Sequence, residues 1–282
     1  MYTTLISAQN LMRQIADPDC LVFDLRHDLS DLQAGRIAHA AGHIPGAHFL
    51  HMDEDLSGTK TGQNGRHPLP ERKLFAARLA ALGVNQHSQI VVYDAQGGMM
   101  AARLWWMMRW LGHQAVAVLD GGLPAWLEAG GMLEETPPRS RPTGNFSASA
   151  TLVECLTSQE VLHNLEVKKR LVLDARAPDR FRGENETLDP TGGHIPGARN
   201  RFFRDNLQAN GQFKPAETLR QDFKEILRDF PTDRVIAQCG SGVTACHNLL
   251  AMEIAGLKGA ALYAGSWSEW CSDPFRPVAL GD

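Results

Sequence analysis

A cysteine followed by a short glycine-rich segment is the most reactive pattern in this sequence. Cys239 comes directly after the apolar run VIAQ, and a helical pattern begins a few residues later. Glycines let the backbone curl so that successive N–H groups, together with the N-terminus of the next helix, point at one spot. Such a spot favours a thiolate, or the persulfide that forms when a thiolate takes up a sulfur atom. We therefore predict that Cys239 is a nucleophile and that its anion is held by Gly240, Ser241, Gly242, Val243 and Thr244.

The elements that must position Cys239 belong to a domain-sized unit that occurs twice in the chain. Four segments of the first half match four of the second half in the same order: LVFDLR (21–26) with LVLDAR (171–176), GHIPGA (42–47) with GHIPGA (193–198), IVVYD (90–94) with VIAQC (235–239), and LDGGLPAW (119–126) with YAGSWSEW (263–270). The offsets range only from 144 to 151 residues. This regularity indicates a tandem duplication.

Short apolar runs alternate with helical patterns in both copies. The runs have the length of buried parallel strands and lie at 21–23, 90–92, 115–119, 171–173 and 235–237. Helical patterns fill 71–82 and 216–230; in the first of these, the spacing places Leu74, Phe75, Leu79 and Leu82 on one stripe. The alternation predicts an α/β fold with two tandem domains, each a central parallel β-sheet with helices on both faces.

The two copies are separated by a segment, 130–151, that is rich in Gly, Pro, Ser and Thr. Such a composition disfavours regular structure and suits a linker. We predict an N-terminal domain at 1–138, a linker at 139–150 and a C-terminal domain at 151–282. Asp94 stands at the position of Cys239 in the first copy. Because a carboxylate cannot store sulfur, the N-terminal domain is predicted to be non-catalytic.

An aspartate and an arginine two residues later end a strand pattern in both copies. They are Asp24 and Arg26 in the first copy and Asp174 and Arg176 in the second. Since only one copy carries the cysteine, we interpret the repeated pair as structural.

The composition limits the classes of function. Hydrophobic residues make up 43% of the 282 residues, and 28 Lys+Arg against 32 Asp+Glu give a net charge of −4, which disfavours nucleic acid as a partner. No apolar run approaches the roughly 18 residues of a membrane helix, and the start lacks the pattern of a secretory signal. Five cysteines without a C-x-x-C pair argue against a disulfide framework or a zinc site. We expect a cytoplasmic protein that binds no membrane and no metal.

The CGSGVT loop, the α/β duplication, the two GHIPGA segments and GSWSEW near the end resemble the two-domain sulfurtransferases over essentially the whole chain. That family includes rhodanese, which uses thiosulfate, and the enzymes that use 3-mercaptopyruvate. The resemblance implies two rhodanese-like domains and a ping-pong reaction without a cofactor. The Cys239 thiolate would take a sulfur atom from a small anionic donor and pass it to cyanide, a thiol or reduced thioredoxin. The neutral loop is similar to that of the mercaptopyruvate branch.

The resemblance also implies a residue that binds the donor. Arg180, in DRFRGE, matches the family arginine that holds the donor's anionic end, and a guanidinium group suits a carboxylate because it bonds both oxygens. The mercaptopyruvate enzymes usually carry a second arginine nine residues further on, where this sequence has Asp189. That departure leaves thiosulfate open as the donor, with Arg182 as a candidate substitute for the second arginine.

A proton relay is implied in the same way. His43, from the first GHIPGA, matches a Ser-His-Asp arrangement with Ser241, and Asp31 is the nearest candidate for the acid. Such a relay could protonate the enolate of pyruvate when it leaves. The alternative is that His43 only hydrogen-bonds the turn before Pro45.

Two rival functions use a similar cysteine loop. Cysteine-dependent phosphatases need an arginine six residues after the nucleophile, and Ala245 stands there in this sequence, which argues against phosphatase activity. A persulfide carrier that delivers sulfur only to a protein partner needs the same cysteine as an enzyme. The sequence does not separate the carrier from the enzyme.

Overall fold

A computed structural model describes all 282 residues, and they form two compact units. The first unit contains residues 1–58, 70–152 and 208–213. The second unit contains residues 59–69, 153–207 and 214–282. Each unit therefore includes a short segment that lies within the other repeat of the sequence.

The first unit is built on a five-stranded parallel sheet with the strand order β1-β5-β4-β2-β3. Its elements, in chain order, are β1 (Leu5–Ile6), α1 (Ala8–Gln14), β2 (Cys20–Asp24), α2 (Ala34–Ala41), β3 (His48–Phe49), α3 (Arg72–Ala81), β4 (Gln89–Tyr93), α4 (Ala101–Trp110), β5 (Val116–Leu119) and α5 (Gly122–Glu128).

The second unit repeats this topology in the order β6-β10-β9-β7-β8, again with all strands parallel. Its elements are β6 (Cys155–Leu156), α6 (Ser158–Val167), β7 (Leu171–Asp174), α7 (Pro178–Arg182), β8 (Arg199–Asn200), α8 (Ala216–Leu227), β9 (Val235–Gln238), α9 (Thr244–Ile254), β10 (Ala261–Tyr263) and α10 (Ser266–Trp270), with 3₁₀ turns at Phe203–Asn206 and Thr232–Arg234. The identical order confirms the predicted duplication.

The strands of both sheets are covered on both faces. Side chains alternate between the two faces of a strand, and every residue of β2, β5, β7 and β9 is buried. The predicted α/β fold with two parallel sheets is therefore confirmed. The predicted apolar stripe of α3 is wrong for one residue, since Leu74 is 69% exposed while Phe75 and Leu79 are buried.

The predicted linker, 139–150, belongs to the first unit. It has no helix or strand, as its composition predicts. It nevertheless packs along its own unit: Phe146 is buried and its N–H donates to Val84 O at 3.2 Å, and Gly144 N–H donates to Ala80 O at 2.8 Å. These bonds hold the segment to the first unit, which extends to residue 152.

None of the helices combines the length and the apolar character that crossing a membrane requires. The longest, α8, has 12 residues and a charged outer face.

Candidate active site

The Cys239 loop lies at the carboxyl end of β9, the central strand of the second sheet. Ligands of open parallel sheets bind at this edge. The loop curls back on itself, so that Gly242 N–H donates to Cys239 Sγ at 3.1 Å. Gly242 has a φ of +77°, and a side chain there would collide with Ala264 O. Only glycine fits this position, which is why the loop can present an N–H group to the sulfur.

The start of α10 holds the other side of the loop. Trp267 N–H and Ser268 N–H donate to Cys239 O and Gly240 O, each at 2.9 Å. Cys239 N–H donates to Ser266 Oγ at 3.1 Å, and that hydroxyl donates to Tyr263 O at 2.9 Å. These bonds satisfy the backbone carbonyl groups of residues 239 and 240 and the N–H group of Cys239. The loop is therefore fixed before any ligand arrives.

A second segment, residues 65–67, runs along the Cys239 loop. Arg66 N–H donates to Ser268 Oγ at 3.0 Å, and His67 Nδ1 lies 2.8 Å from Ser241 Oγ. A side chain on Gly65, whose φ is +84°, would lie 2.7 Å from Gly265 O. This close approach brings Arg66 and His67 to the cysteine, and both belong to the second unit.

In place of the predicted His43–Ser241 pair, the structure has His67 beside Ser241. His43 is buried in the first unit, where its Nδ1 lies 2.8 Å from His39 O and its ring stacks on that of His39 at 3.8 Å. Asp31, the predicted acid, accepts a hydrogen bond from Gln33 N–H at 2.9 Å and so stabilises its own turn. The geometry of His43 matches the alternative that this histidine supports its own turn.

Arg180 lies in a cluster of charges next to the loop. Its Nε and Nη2 donate to Glu186 at 3.0 and 2.8 Å, and Nη2 also lies 3.3 Å from Asp189 Oδ2. The side chain of Asp189 is only 3% exposed and forms a second ion pair, with Arg66. Burial raises the pKa of Asp189, and Arg66 and Arg180 oppose that rise. Arg182 turns away to Glu184, at 2.7 Å, so it does not replace the second arginine.

The repeated Asp–Arg pair is structural, as predicted. Arg176 Nη2 donates to Asp174 at 2.6 Å and to Gly193 O at 2.7 Å, and Arg26 makes the same two bonds at the same lengths to Asp24 and Gly42 O. Burial alone would lower the pKa of Arg176, but Asp174, Glu186 and Cys239 raise it above its ordinary value. In the second unit this buried cation therefore also acts electrostatically on the cysteine.

The cysteine lies at the bottom of this site. Cys239 is 2% exposed, whereas the side chains of Arg66 and Arg180 are 30% and 20% exposed. The two guanidinium groups are therefore more accessible to solvent than the sulfur is. The structure contains no group of three or more His, Cys, Asp or Glu side chains arranged to hold a metal ion.

Sequence reasoning did not identify Arg66 and His67. They are 173 and 172 residues away from Cys239 in the chain, and no periodic pattern connects them to it. The available signal was the stretch TGQNGRHPLP, a glycine-containing loop with two adjacent basic residues outside any strand or helix pattern.

Two equivalent α/β units, one of which holds a cysteine in the loop after its central strand, define a duplicated α/β protein. The Rhodanese-like domain family matches residues 7–129 and 157–273, so the chain belongs to the two-domain rhodanese family and is a sulfurtransferase.

Relatives of this family share nearly the full length of the chain. A protein of Pseudomonas aeruginosa named "Probable 3-mercaptopyruvate sulfurtransferase" is 47% identical, over 99% of this chain and 98% of its own. The thiosulfate sulfurtransferase of Mus musculus is 34% identical, over 96% and 92%. Among solved structures, SseA from Escherichia coli, described as a 3-mercaptopyruvate sulfotransferase, superposes with a TM-score of 0.81 at 33% identity, over 94% and 99%.

Proposed function

We propose that Cys239 is the nucleophile of this sulfurtransferase and carries the transferred sulfur as a persulfide. The observation that carries the proposal is the hydrogen bond from Gly242 N–H to Cys239 Sγ. It shows a backbone donor aimed at the sulfur, in a loop fixed from the other side by α10. A donor in this position stabilises a negative charge on the sulfur, which is the state that attacks.

We propose 3-mercaptopyruvate as the preferred donor. The Cys239 thiolate attacks the donor's sulfur, an S–S bond forms, and the C–S bond breaks with its electron pair left on the enolate of pyruvate. That enolate needs a proton at carbon, and the donor's own thiol releases one, so the products are the persulfide anion and pyruvate. The Ser241–His67 pair, 2.8 Å apart beside Cys239, can relay this proton. The names of the relatives support this donor and also thiosulfate.

Thiosulfate makes less use of the same site. Its outer sulfur transfers to the thiolate and sulfite leaves as a stable dianion, so no proton is needed. The Ser241–His67 pair then has no role in the reaction. We therefore expect the ratio of kcat/KM for 3-mercaptopyruvate to that for thiosulfate to be well above one.

The acceptor completes the cycle. Cyanide attacks the outer sulfur of the persulfide and leaves as thiocyanate, and a thiolate acceptor leaves as its own persulfide; both restore the Cys239 thiolate. We propose a thiol as the physiological acceptor, with reduced thioredoxin as a candidate, in the reducing cytoplasm where the five cysteines, all free, stay reduced.

Intact-mass spectrometry tests the nucleophile. After incubation with 3-mercaptopyruvate, the protein should gain the mass of one sulfur atom, and peptide mapping should place it on Cys239. Cys246→Ser is the matched control, since Cys246 is buried in the first turn of α9 and its Sγ donates to Gly242 O at 3.2 Å. Sulfur on Cys246 or Cys271 would overturn the assignment. A Cys239 persulfide without steady-state turnover of cyanide would indicate a carrier instead of an enzyme.

A further inference from the structure

Arg66 lies over the backbone of the Cys239 loop. A Cβ placed on Gly240, the residue after the cysteine, would lie 2.7 Å from Arg66 Nη2. The backbone of Arg66 is linked to the same loop through Ser268 of α10, because Arg66 N–H donates to Ser268 Oγ at 3.0 Å. Ser268 N–H in turn donates to Gly240 O at 2.9 Å. Both the backbone and the guanidinium group of Arg66 therefore lie beside the cysteine.

Arg180 reaches the same point from a different element, α7. The same Cβ on Gly240 would lie 3.6 Å from Arg180 Nη2 and 3.7 Å from Nη1. The hydrogen bonds of Arg180 to the protein run through Nε and Nη2. Its Nη1 therefore has no hydrogen bond to the protein, and it lies as close to the loop as Nη2 does. Two guanidinium groups thus face one spot next to Cys239.

Asp189 joins the two arginines. One carboxylate oxygen pairs with Arg66 Nη1 and the other lies 3.3 Å from Arg180 Nη2. The carboxylate is nearly buried while both arginines are partly exposed. It therefore lies behind them and does not occupy the open side. Glu186 adds a second negative charge on Arg180 at 2.8 Å.

Building on the donor proposed above, we propose that Arg66 and Arg180 together bind the donor's carboxylate, and that Asp189 positions both groups and makes the site selective for a monocarboxylate over a dianion. Two positive charges face two negative charges in this cluster, and a Cys239 thiolate adds a third negative charge. A dianion experiences both the attractions and the repulsions twice as strongly as a monoanion does, so the net repulsion from this cluster, which has one more negative than positive charge, is doubled for it. Arg66 is thus a donor-binding residue and Asp189 a positioning residue.

Alkylation of Cys239 tests the site without any sulfur transfer. Iodoacetate carries a carboxylate and iodoacetamide is its neutral analogue, and both alkylate the thiolate with loss of iodide. The ratio of their rates at Cys239, measured by peptide mass spectrometry, reports the attraction of a carboxylate to the site. We expect Arg66→Gln to lower this ratio by roughly 10-fold or more, the range of a charge-assisted hydrogen bond. Asp189→Asn should raise it.

The controls separate charge at the site from other effects. Arg182→Gln removes the same charge from an arginine that pairs with Glu184, and its ratio should equal that of the wild type. Arg66→Lys keeps the charge and should retain most of the ratio, which covers the case that Arg66→Gln does not fold. Any damage to the loop changes both rates and cancels in the ratio. An unchanged ratio in Arg66→Gln, or an equal fall in Arg182→Gln, would overturn the proposal.

Turnover then tests the selectivity. Asp189→Asn should raise kcat/KM for thiosulfate relative to that for 3-mercaptopyruvate by about threefold or more, since the dianion gains more from the lost negative charge. A relative fall for thiosulfate contradicts the role of Asp189. If the alkylation ratio responds as expected but neither donor places sulfur on Cys239, the proposed function fails while the carboxylate site stands.

Discussion

The loops that follow the central strands of the two units differ in the side chain to which their backbone N–H groups point. In the first unit, the carboxylate of Asp94 is buried and accepts four backbone hydrogen bonds, from Gln96, Gly98, Met100 and Ala101, at 2.7 to 3.0 Å. In the second unit, the sulfur of Cys239 stands in the same place and accepts Gly242 N–H. Both loops direct backbone N–H groups at the side chain that follows the strand, four at the Asp94 carboxylate and one at the Cys239 sulfur.

Under the proposed function, this difference separates a structural loop from a catalytic one. The Asp94 loop uses its backbone donors on a permanent carboxylate, so they stabilise the fold. The Cys239 loop is five residues long from the cysteine to the start of α9, against seven from Asp94 to the start of α4. The second unit also has Ser241, Arg66 and Arg180 beside the sulfur. The fold thus supplies the same N–H-lined loop twice, and the proposed function depends on the side chains around the second one.

The largest expected effect comes from exchanging the two anions. Cys239→Ser should reduce turnover by about 10⁴-fold or more, since no other group in the site can hold sulfur. Adding Asp94→Cys to this variant should not restore activity, because the first loop has no hydroxyl at 95–98 and no arginine pair corresponding to Arg66 and Arg180. Steady-state thiocyanate formation measures both. Recovery of activity in the double variant would break the comparison, because a cysteine alone would then be sufficient.

The next largest effect is on stability. Asp94→Ala removes the acceptor of four hydrogen bonds and leaves buried N–H groups without a partner, which should lower the free energy of unfolding by about 3 kcal/mol or more. Asp94→Asn keeps one oxygen and should cost less. Cys239→Ser should change the free energy of unfolding by less than about 1 kcal/mol. Urea unfolding measures all three; equal stability of Asp94→Ala and Cys239→Ser would contradict the structural role of Asp94.

A smaller effect separates the two histidines that could serve Ser241. His67→Gln should lower kcat with 3-mercaptopyruvate by roughly 10- to 100-fold, the range of general acid catalysis, and affect thiosulfate far less. His43→Gln should leave kcat per folded molecule nearly unchanged, because His43 bonds the backbone of its own unit. Initial rates with both donors test this. A loss of kcat specific to His43→Gln would restore the pairing expected from the sequence.

Much of the fold could be predicted because buried parallel strands are apolar at every position. The runs at 21–23, 90–92, 171–173 and 235–237 all lie within strands of the structure. The edge strands β1, β3, β6 and β8 have two residues each, which is too short for any periodicity. Leu74 shows a limit of helical periodicity. The spacing places a residue on an apolar stripe but does not say which side of that stripe the rest of the protein covers.

The candidate site was predictable only where its residues are neighbours in sequence. Cys239 and its loop form one continuous motif, so their arrangement follows from local rules for glycine and helix N-termini. Arg66 and His67 reach the loop through a tertiary contact that depends on the close approach of Gly65 to Gly265 O. In the sequence, Asp189 indicates only that the second arginine of the related enzymes is missing. Its ion pair with Arg66 depends on the same contact. A contact between distant segments produces no characteristic residue spacing in a single sequence.

The smallest expected effect concerns acid stability and again distinguishes the units. Burial is the largest cause that lowers the pKa of His39, His48 and His113, all in the first unit. The unfolded chain therefore binds these protons first, so the free energy of unfolding of the first unit should fall as the pH drops below about 6.5.

His113 is the cleanest test of this pH dependence. It is buried, with Nε2 2.8 Å from Ser88 O and its ring edge-on to Phe146. His113→Asn should reduce the pH dependence between pH 7.5 and 5.5 by roughly 1 kcal/mol per pH unit or less. His87→Asn, at an exposed histidine beside Asp19, is the control and should not. Pulsed hydrogen exchange in urea, analysed peptide by peptide, measures the unfolding of each unit separately. No difference between the two variants would show that the burial of His113 does not contribute to the acid sensitivity of the first unit.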